Sequence, residues 1–237
     1  RLLLLSTINR TLRAFALGIS TSVIGSALRA GGAAAQDASP EAGGAIGNPD
    51  IEHITTTDKG VIRLYSSWPL TGTYELLGGD AVEAIKLALS DYGNAAGGYA
   101  IEYTPLDDGI AANNGGWDPG AESANANTVI ADPDAMVYMA TYNSGAAKIS
   151  IPIMNEAGMA MISYANTYPG LSKPGYEEGE PDQYYPTGKR NYMRTVPADD
   201  IQGAAGAKWA IESKGATKAY VLHDQSLYGK GVAQVFN

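Results

Sequence analysis

Val137-Tyr138-Met139-Ala140-Thr141-Tyr142-Asn143-Ser144-Gly145 decides the reading of this chain. A short apolar run stops at small polar residues, and a helical pattern follows. Twenty-two residues on, Met159-Ala160-Met161-Ile162-Ser163-Tyr164-Ala165-Asn166-Thr167 repeats the form. Runs of this length, closed by Gly, Ser or Asn, read as βα units of a parallel sheet. In such sheets ligands settle beyond the carboxyl ends of the strands, where loops present backbone groups and hydroxyls.

Working outward, residues 61–66 form a candidate first strand, followed by Ser67-Trp68-Pro69-Leu70-Thr71-Gly72-Thr73-Tyr74. Residues 80–92 are expected to be helical, with Ala81, Ala84, Ile85, Ala88 and Leu89 on one face. Gly97-Gly98 breaks the chain, and 100–106 is a second strand ending at Asp107-Asp108. A helix over 121–130, a strand over 135–141, a helix over 145–157 and a strand over 159–163 follow. Pro152 is expected to kink or shorten its helix. Between 170 and 190 the periodicity stops among Glu177, Glu178, Glu180 and Asp182, and such a loop reads as functional or mobile. Order resumes at 191–196, with a helix over 198–214 and a strand over 218–223. The alternation implies an α/β fold, a doubly wound parallel sheet with helices on both faces.

Composition narrows the function. The chain has 237 residues, 45% of them apolar, and a net charge of −9. That charge argues against nucleic acid and anionic membrane surfaces, which need clustered Lys and Arg. With no cysteine, neither disulfides nor thiolate catalysis is available. His53 and His223 are the two histidines, too few for a multi-histidine metal site. Asp107, Asp108, Asn113, Asn114 and Asp118 form an oxygen cluster, but not at EF-hand spacing. No cofactor is expected.

The amino terminus has the form of an export signal. Arg1, Arg10 and Arg13 supply positive charge, residues 14–28 are mostly apolar, and Ala33-Ala34-Ala35 offers a small-residue cleavage site. Residues 1–35 are therefore read as a signal peptide and 36–58 as a flexible lead-in. Arg1 at the start, and a helical pattern still running at Val235-Phe236-Asn237, lead us to expect a longer parent chain.

Candidate binding residues sit at the strand ends. Ser144 is placed to cap the following helix, or to hold an anion where that helix frees its first N–H groups. Thr167 offers a hydroxyl able to bridge a carboxylate and an ammonium, or is a loop residue. Tyr228, in Leu222-His223-Asp224-Gln225-Ser226-Leu227-Tyr228-Gly229, either closes over a ligand or packs as a helix-start aromatic. His223 and Asp224 are adjacent in an expected strand and would point to opposite faces. Neither a nucleophile elbow nor a Gly-rich phosphate loop occurs. The chemistry points to binding rather than catalysis.

From about Val61 to Phe236 the chain resembles the substrate-binding proteins of branched-chain amino acid ABC transporters, the Leu/Ile/Val-binding type. The carrying segments are Pro69-Leu70-Thr71-Gly72, Asp107-Asp108, 135–144, Ala157-Gly158-Met159-Ala160-Met161-Ile162-Ser163, Tyr192-Met193-Arg194-Thr195 and His223-Asp224-Gln225-Ser226-Leu227-Tyr228-Gly229. The resemblance implies the type I periplasmic-binding-protein fold, two α/β lobes closing on a ligand. Residues 59–195 would form lobe one and 196–237 the start of lobe two, with the ammonium's acidic partner further along the family's sequence. Ser144 would bind the ligand carboxylate, Ala165 would offer its carbonyl to the ammonium, and Thr167 would contact either group. Tyr228 would reach across from lobe two, and Tyr74 would line the side-chain pocket. Asn143 joins this set, standing where the best-known members carry a cysteine. Gly145 and Ala146 replace hydroxyl residues.

The implied function is an exported, periplasmic or otherwise extracytoplasmic, monomeric protein that passes an amino acid to an ABC transporter permease. A ligand-sensing domain, or a binder of urea or short amides, is the alternative on the same fold. An enzyme on a similar sheet would need a nucleophile–base set that this sequence does not display.

Overall fold

The structure is a computed structural model that describes residues 57–237. The expected signal peptide and all of the lead-in but its last two residues lie outside the described residues. Six strands form one sheet: β1 (Val61–Ser67), β2 (Ala95–Ala96), β3 (Tyr99–Leu106), β4 (Ala135–Ala140), β5 (Ala160–Ser163) and β6 (Tyr192–Arg194). Their order is β2-β3-β1-β4-β5-β6. All neighbours run parallel except β2 and β3, a short antiparallel pair made by the turn at Gly97-Gly98.

The helices are α1 (Glu75–Asp91), α2 (Pro119–Ile130), α3 (Ser144–Glu156), α4 (Asp199–Glu212) and α5 (Leu227–Phe236). Among the described residues none is long and apolar enough to cross a membrane. Neighbouring residues of β1 show the two covered faces, since successive side chains of a strand point to opposite sides. Ser66 shares a hydrogen bond with Tyr103 on the α1 side, whereas Ser67 donates to Glu122 of α2 at 2.6 Å.

The core explains why the sequence holds 15 tyrosines and only two phenylalanines. Tyr65, Tyr138, Tyr168, Tyr184, Tyr185 and Tyr192 are all buried in one cluster with Val129, Ile151, Met154, Met161 and Leu171. Each of their phenols donates to an acceptor: Asp132, Glu122, Glu180 (twice), the Leu171 carbonyl and Asn166. A buried tyrosine stabilises through its ring only if its hydroxyl is satisfied, and here each one is.

Several expectations need correcting. The first helix starts at Glu75, not 80, because Gly78-Gly79 interrupts the apolar pattern without ending the helix. Gly78 is required there, since a Cβ would stand 2.0 Å from the Pro69 carbonyl. Its buried side is Gly78 and Val82, while Ala84 and Ala88 are exposed. Helix α2 begins two residues early because Pro119 suits a first helical position and Asp118 accepts the Ala121 N–H at 2.9 Å.

Pro152 does not end α3, which continues to Glu156. Ile151 and Met154, on either side of it, are fully buried, and that packing offsets the missing N–H. The expected loop over 170–190 contains short 3-10 turns, Pro169–Leu171 and Asp182–Tyr184. It is packed rather than structureless, because Leu171, Tyr184 and Tyr185 enter the core. The expected strand over 218–223 is not formed. A strand needs a ladder partner, and none of the described strands lies beside it. Tyr220 and Leu222 are accordingly 88% and 71% exposed.

Candidate functional site

The strand register builds the site. Ser67 pairs with Leu106 on one side and with Ala140 on the other, so β1, β3 and β4 end at one level. Strand order reverses at β1, which sends the chain first to β3 and then back to β4. The loops after β1 and β4 therefore part, leaving the crevice where ligands of doubly wound sheets bind.

A cavity of ≈ 940 Å³ occupies it. Thr73 and Tyr74 line it from the turn after β1, and Asn113, Asn114 and Trp117 from the loop after β3. Tyr142, Asn143, Ser144 and Gly145 come from the β4–α3 junction, and Ala165 and Thr167 from beyond β5. Gln202 of α4 and residues 224–228 close the far side. All six expected residues (Tyr74, Asn143, Ser144, Ala165, Thr167 and Tyr228) face this one space.

The structure corrects the position of Ser144. Asn143, not Ser144, is the N-cap of α3, and its carbonyl accepts the N–H groups of Ala146 and Ala147. Ser144 is the first helical residue, so its N–H and that of Gly145 have no intrahelical partner. Its hydroxyl accepts the Tyr168 N–H at 3.3 Å, which leaves the hydroxyl proton available. No base faces it. A serine in this state is a hydrogen-bond donor at a helix's positive end rather than a nucleophile.

The other polar groups are held ready in the same way. Asn143 Oδ1 is buried without a partner, and the buried Thr167 hydroxyl lies against the Asp199 carboxyl. Such atoms are costly unless something polar meets them. The Thr167 carbonyl accepts the Asp199 N–H at 2.8 Å, which ties this loop to the start of α4. Burial raises the Asp199 carboxyl above the ordinary range, while Thr167 and Arg194 pull it back. Ala165 gives its N–H to Ser163 Oγ at 3.1 Å.

Aromatic rings form the walls. Tyr74 and Tyr142 meet edge-on at 6.0 Å between centroids. Burial raises the Tyr142 phenol, and the neighbouring phenols of Tyr74 and Tyr228 add to the rise. Behind them Tyr164 packs edge-on against Trp68 at 5.1 Å, and burial pushes its phenol up to about 12. The Trp117 indole lies against Gly145, where a Cβ would stand 2.5 Å from Cζ2. Tyr228, half-exposed, accepts from Gln202 Nε2 at 3.4 Å.

Sequence reasoning missed three residues. Asn166 is fully buried and clamps the two central loops together. Its amide donates to Thr141 Oγ1 at 3.2 Å and to the Tyr142 carbonyl at 3.1 Å. Its Oδ1 accepts from the Tyr192 hydroxyl at 3.1 Å and the Thr141 N–H at 3.4 Å. Arg194 holds the same loop from outside through the Asn166 and Tyr168 carbonyls. Trp117 completes the wall. A turn asparagine, a strand-end arginine and a loop tryptophan carry no local pattern that separates them from ordinary punctuation.

Asp107 and Asp118 of the acidic cluster are spent on structure, whereas both carboxylate oxygens of Asp108 are buried without a hydrogen-bond partner. Asp107 Oδ1 accepts the N–H groups of Leu70 and Gly109, and Asp118 caps α2. His223 and Asp224 lie in a turn, not a strand. They accept the N–H groups of Gln225 and Ser226 and so lead the chain into α5.

Comparison with known proteins agrees with this geometry. The family described as "Periplasmic binding protein" matches residues 62–237. A "Leu/Ile/Val-binding protein homolog 2" of Brucella abortus is 30% identical over 165 residues, 70% of this chain and 39% of that protein. A Leu/Ile/Val-binding protein of Rhizobium johnstonii is 27% identical over 71% of this chain and 41% of its own length. The chain thus spans about two fifths of these relatives. Among solved structures, a leucine-binding protein of Thermotoga maritima superposes with a TM-score of 0.61 at 21% identity, covering 74% of this chain and 44% of that one. A solute-binding protein of R. palustris in complex with 4-hydroxybenzoate gives 0.60 at 19% identity, covering 74% and 42%. These two superpositions establish the fold.

Proposed function

Since this chain belongs to the periplasmic-binding-protein family, we propose that it acts as an exported receptor that captures an amino acid, a branched-chain one, and hands it to an ABC transporter permease. One observation carries the reading: six residues drawn from four separate loops face a single cleft at the strand ends. Ser144 and the free N–H groups of α3 take the ligand carboxylate. The Ala165 carbonyl and Thr167 take the ammonium. Tyr74 and Asn143 bound the side-chain pocket, and Tyr228 closes it from α5. The relatives' names support the ligand class.

In this reading residues 59–195 are lobe one and 196–237 begin lobe two. Ligand bridges the lobes and raises the closed population, which the permease recognises. The protein acts by binding, without turnover, as a monomer outside the cytoplasm. Residues 1–35 direct that export and 36–58 tether the folded part.

A second reading has its own support. Tyr74, Trp117, Tyr142 and Tyr228 give the cleft four aromatic walls, which suit a planar aromatic carboxylate anchored at the same Ser144. A thermal-melt panel on the natural-length protein separates the two. Leucine, isoleucine or valine raising Tm at a hundredfold excess over Kd, by about 2.7 kcal/mol of added stability, supports the first reading. A shift with benzoates alone replaces it with the second, and no shift with either class removes both.

A further inference from the structure

The segment between β5 and β6 does more than fill space, and we propose that it is a strap that fixes α5, and with it Tyr228, over the cleft. Its root is buried. Glu180 accepts hydrogen bonds from Tyr168 at 2.8 Å and Tyr184 at 2.6 Å, and its carboxylate also pairs with Lys148 of α3 at 3.3 Å. Lys148 in turn stands over the rings of Tyr168 and Tyr184, 5.6 and 5.7 Å from their centroids.

From this root three contacts reach α4 and α5. Lys173 pairs with Asp200 at 2.6 Å, and Glu177 pairs with Lys230 at 2.6 Å. The Tyr168 ring lies so close to α5 that a Cβ on Gly231 would stand 2.6 Å from it. Glu177 is also 3.7 Å from Lys148, so one carboxylate joins a cation of α3 to a cation of α5. Lys230 follows Tyr228 by two residues. Helix α5 packs on α4, where a Cβ on Gly203 would stand 2.7 Å from Val235, and touches the core through Leu227, and the strap adds the charged tie from its first turn to α3.

An exposed ion pair alone contributes little. Here the pair continues into a network whose far member, Glu180, is buried, and linked members strengthen each other. Glu177 and Lys230 are thus positioning residues for the binding site. This role rests on the reading above for its ligand, but not for its effect on α5.

The test is a double-mutant cycle in the natural-length protein, read by amide hydrogen exchange of α5 and by affinity for the best ligand of the panel. E177Q and K230Q should each speed α5 exchange and weaken binding about three- to fivefold. The double variant should do no worse than either single one, because the partners share one interaction. K230R, which keeps the charge, should match wild type, and 0.5 M salt should shrink all differences. Unchanged exchange in both single variants, or fully additive losses, would overturn the strap. If wild type binds nothing in the panel, the ligand reading falls and the exchange data still decide the strap.

Discussion

Replacing Asn166 by alanine should harm stability and binding together, by a predictable amount. The side chain is fully buried and makes four hydrogen bonds, three of them between 3.1 and 3.2 Å and one at 3.4 Å. Three sound bonds contribute roughly 1 kcal/mol each, and orphaning the buried Tyr192 hydroxyl and Tyr142 carbonyl adds part of their desolvation cost. A loss of about 3–4 kcal/mol is expected, large against a usual total of about 5–15 kcal/mol. The same bonds hold the loops that carry Ser144 and Thr167, so ligand affinity should fall as well. Urea unfolding with a two-state fit gives the first quantity and calorimetric titration the second. A loss below about 1 kcal/mol, with binding intact, would refute the clamp.

Other perturbations read other parts of the structure. G145A pushes a methyl into the Trp117 indole and should cost about 1–3 kcal/mol while shifting tryptophan emission; an unchanged spectrum would count against that packing. Burial and the nearby charge of Glu122 raise Asp108 to about 8, and burial raises Glu122 to about 7. Folded carboxyls with raised pKa hold protons that the unfolded chain has released, so stability falls as pH rises from about 4 toward 8. D108N removes the Asp108 part, so between pH 6 and 9 the variant should gain about 2–3 kcal/mol on wild type; parallel pH profiles in denaturant melts would contradict this. T167A removes a hydroxyl that faces both the cleft and the buried Asp199 carboxyl, and should weaken amino acid binding about tenfold, a step of roughly 1.4 kcal/mol. Equal affinity in a titration would remove Thr167 from the site.

Much of the fold was legible because four strands advertise themselves in sequence. Apolar runs at 61–66, 100–106, 135–141 and 159–163 end at small polar residues, and each falls on a strand of the sheet. The cleft followed, since strand ends converge wherever such a sheet reverses order. What failed depended on partners distant in sequence. The run at 218–223 has strand composition, yet a ladder needs a neighbour. Pro152 reads as a breaker until the packing of Ile151 and Met154 is known. The stretch from 170 to 190 lacks periodicity because its order comes from single anchors, Leu171, Glu180, Tyr184 and Tyr185, rather than from a repeating face. Asn166 reads only as turn punctuation, and the three residues its side chain bonds lie 24 to 26 residues away.

The most direct measurement is calorimetric titration of the natural-length protein with leucine, isoleucine and valine, wild type against S144A. Ser144 offers its hydroxyl proton at the start of α3, while its oxygen already accepts from Tyr168. Saturable binding of at least one of the three, weakened tenfold or more in S144A while the variant still melts cooperatively, with at most the modest Tm loss of an orphaned Tyr168 N–H, is the result expected of a carboxylate anchor. Binding that S144A leaves untouched would place the ligand elsewhere and contradict the site.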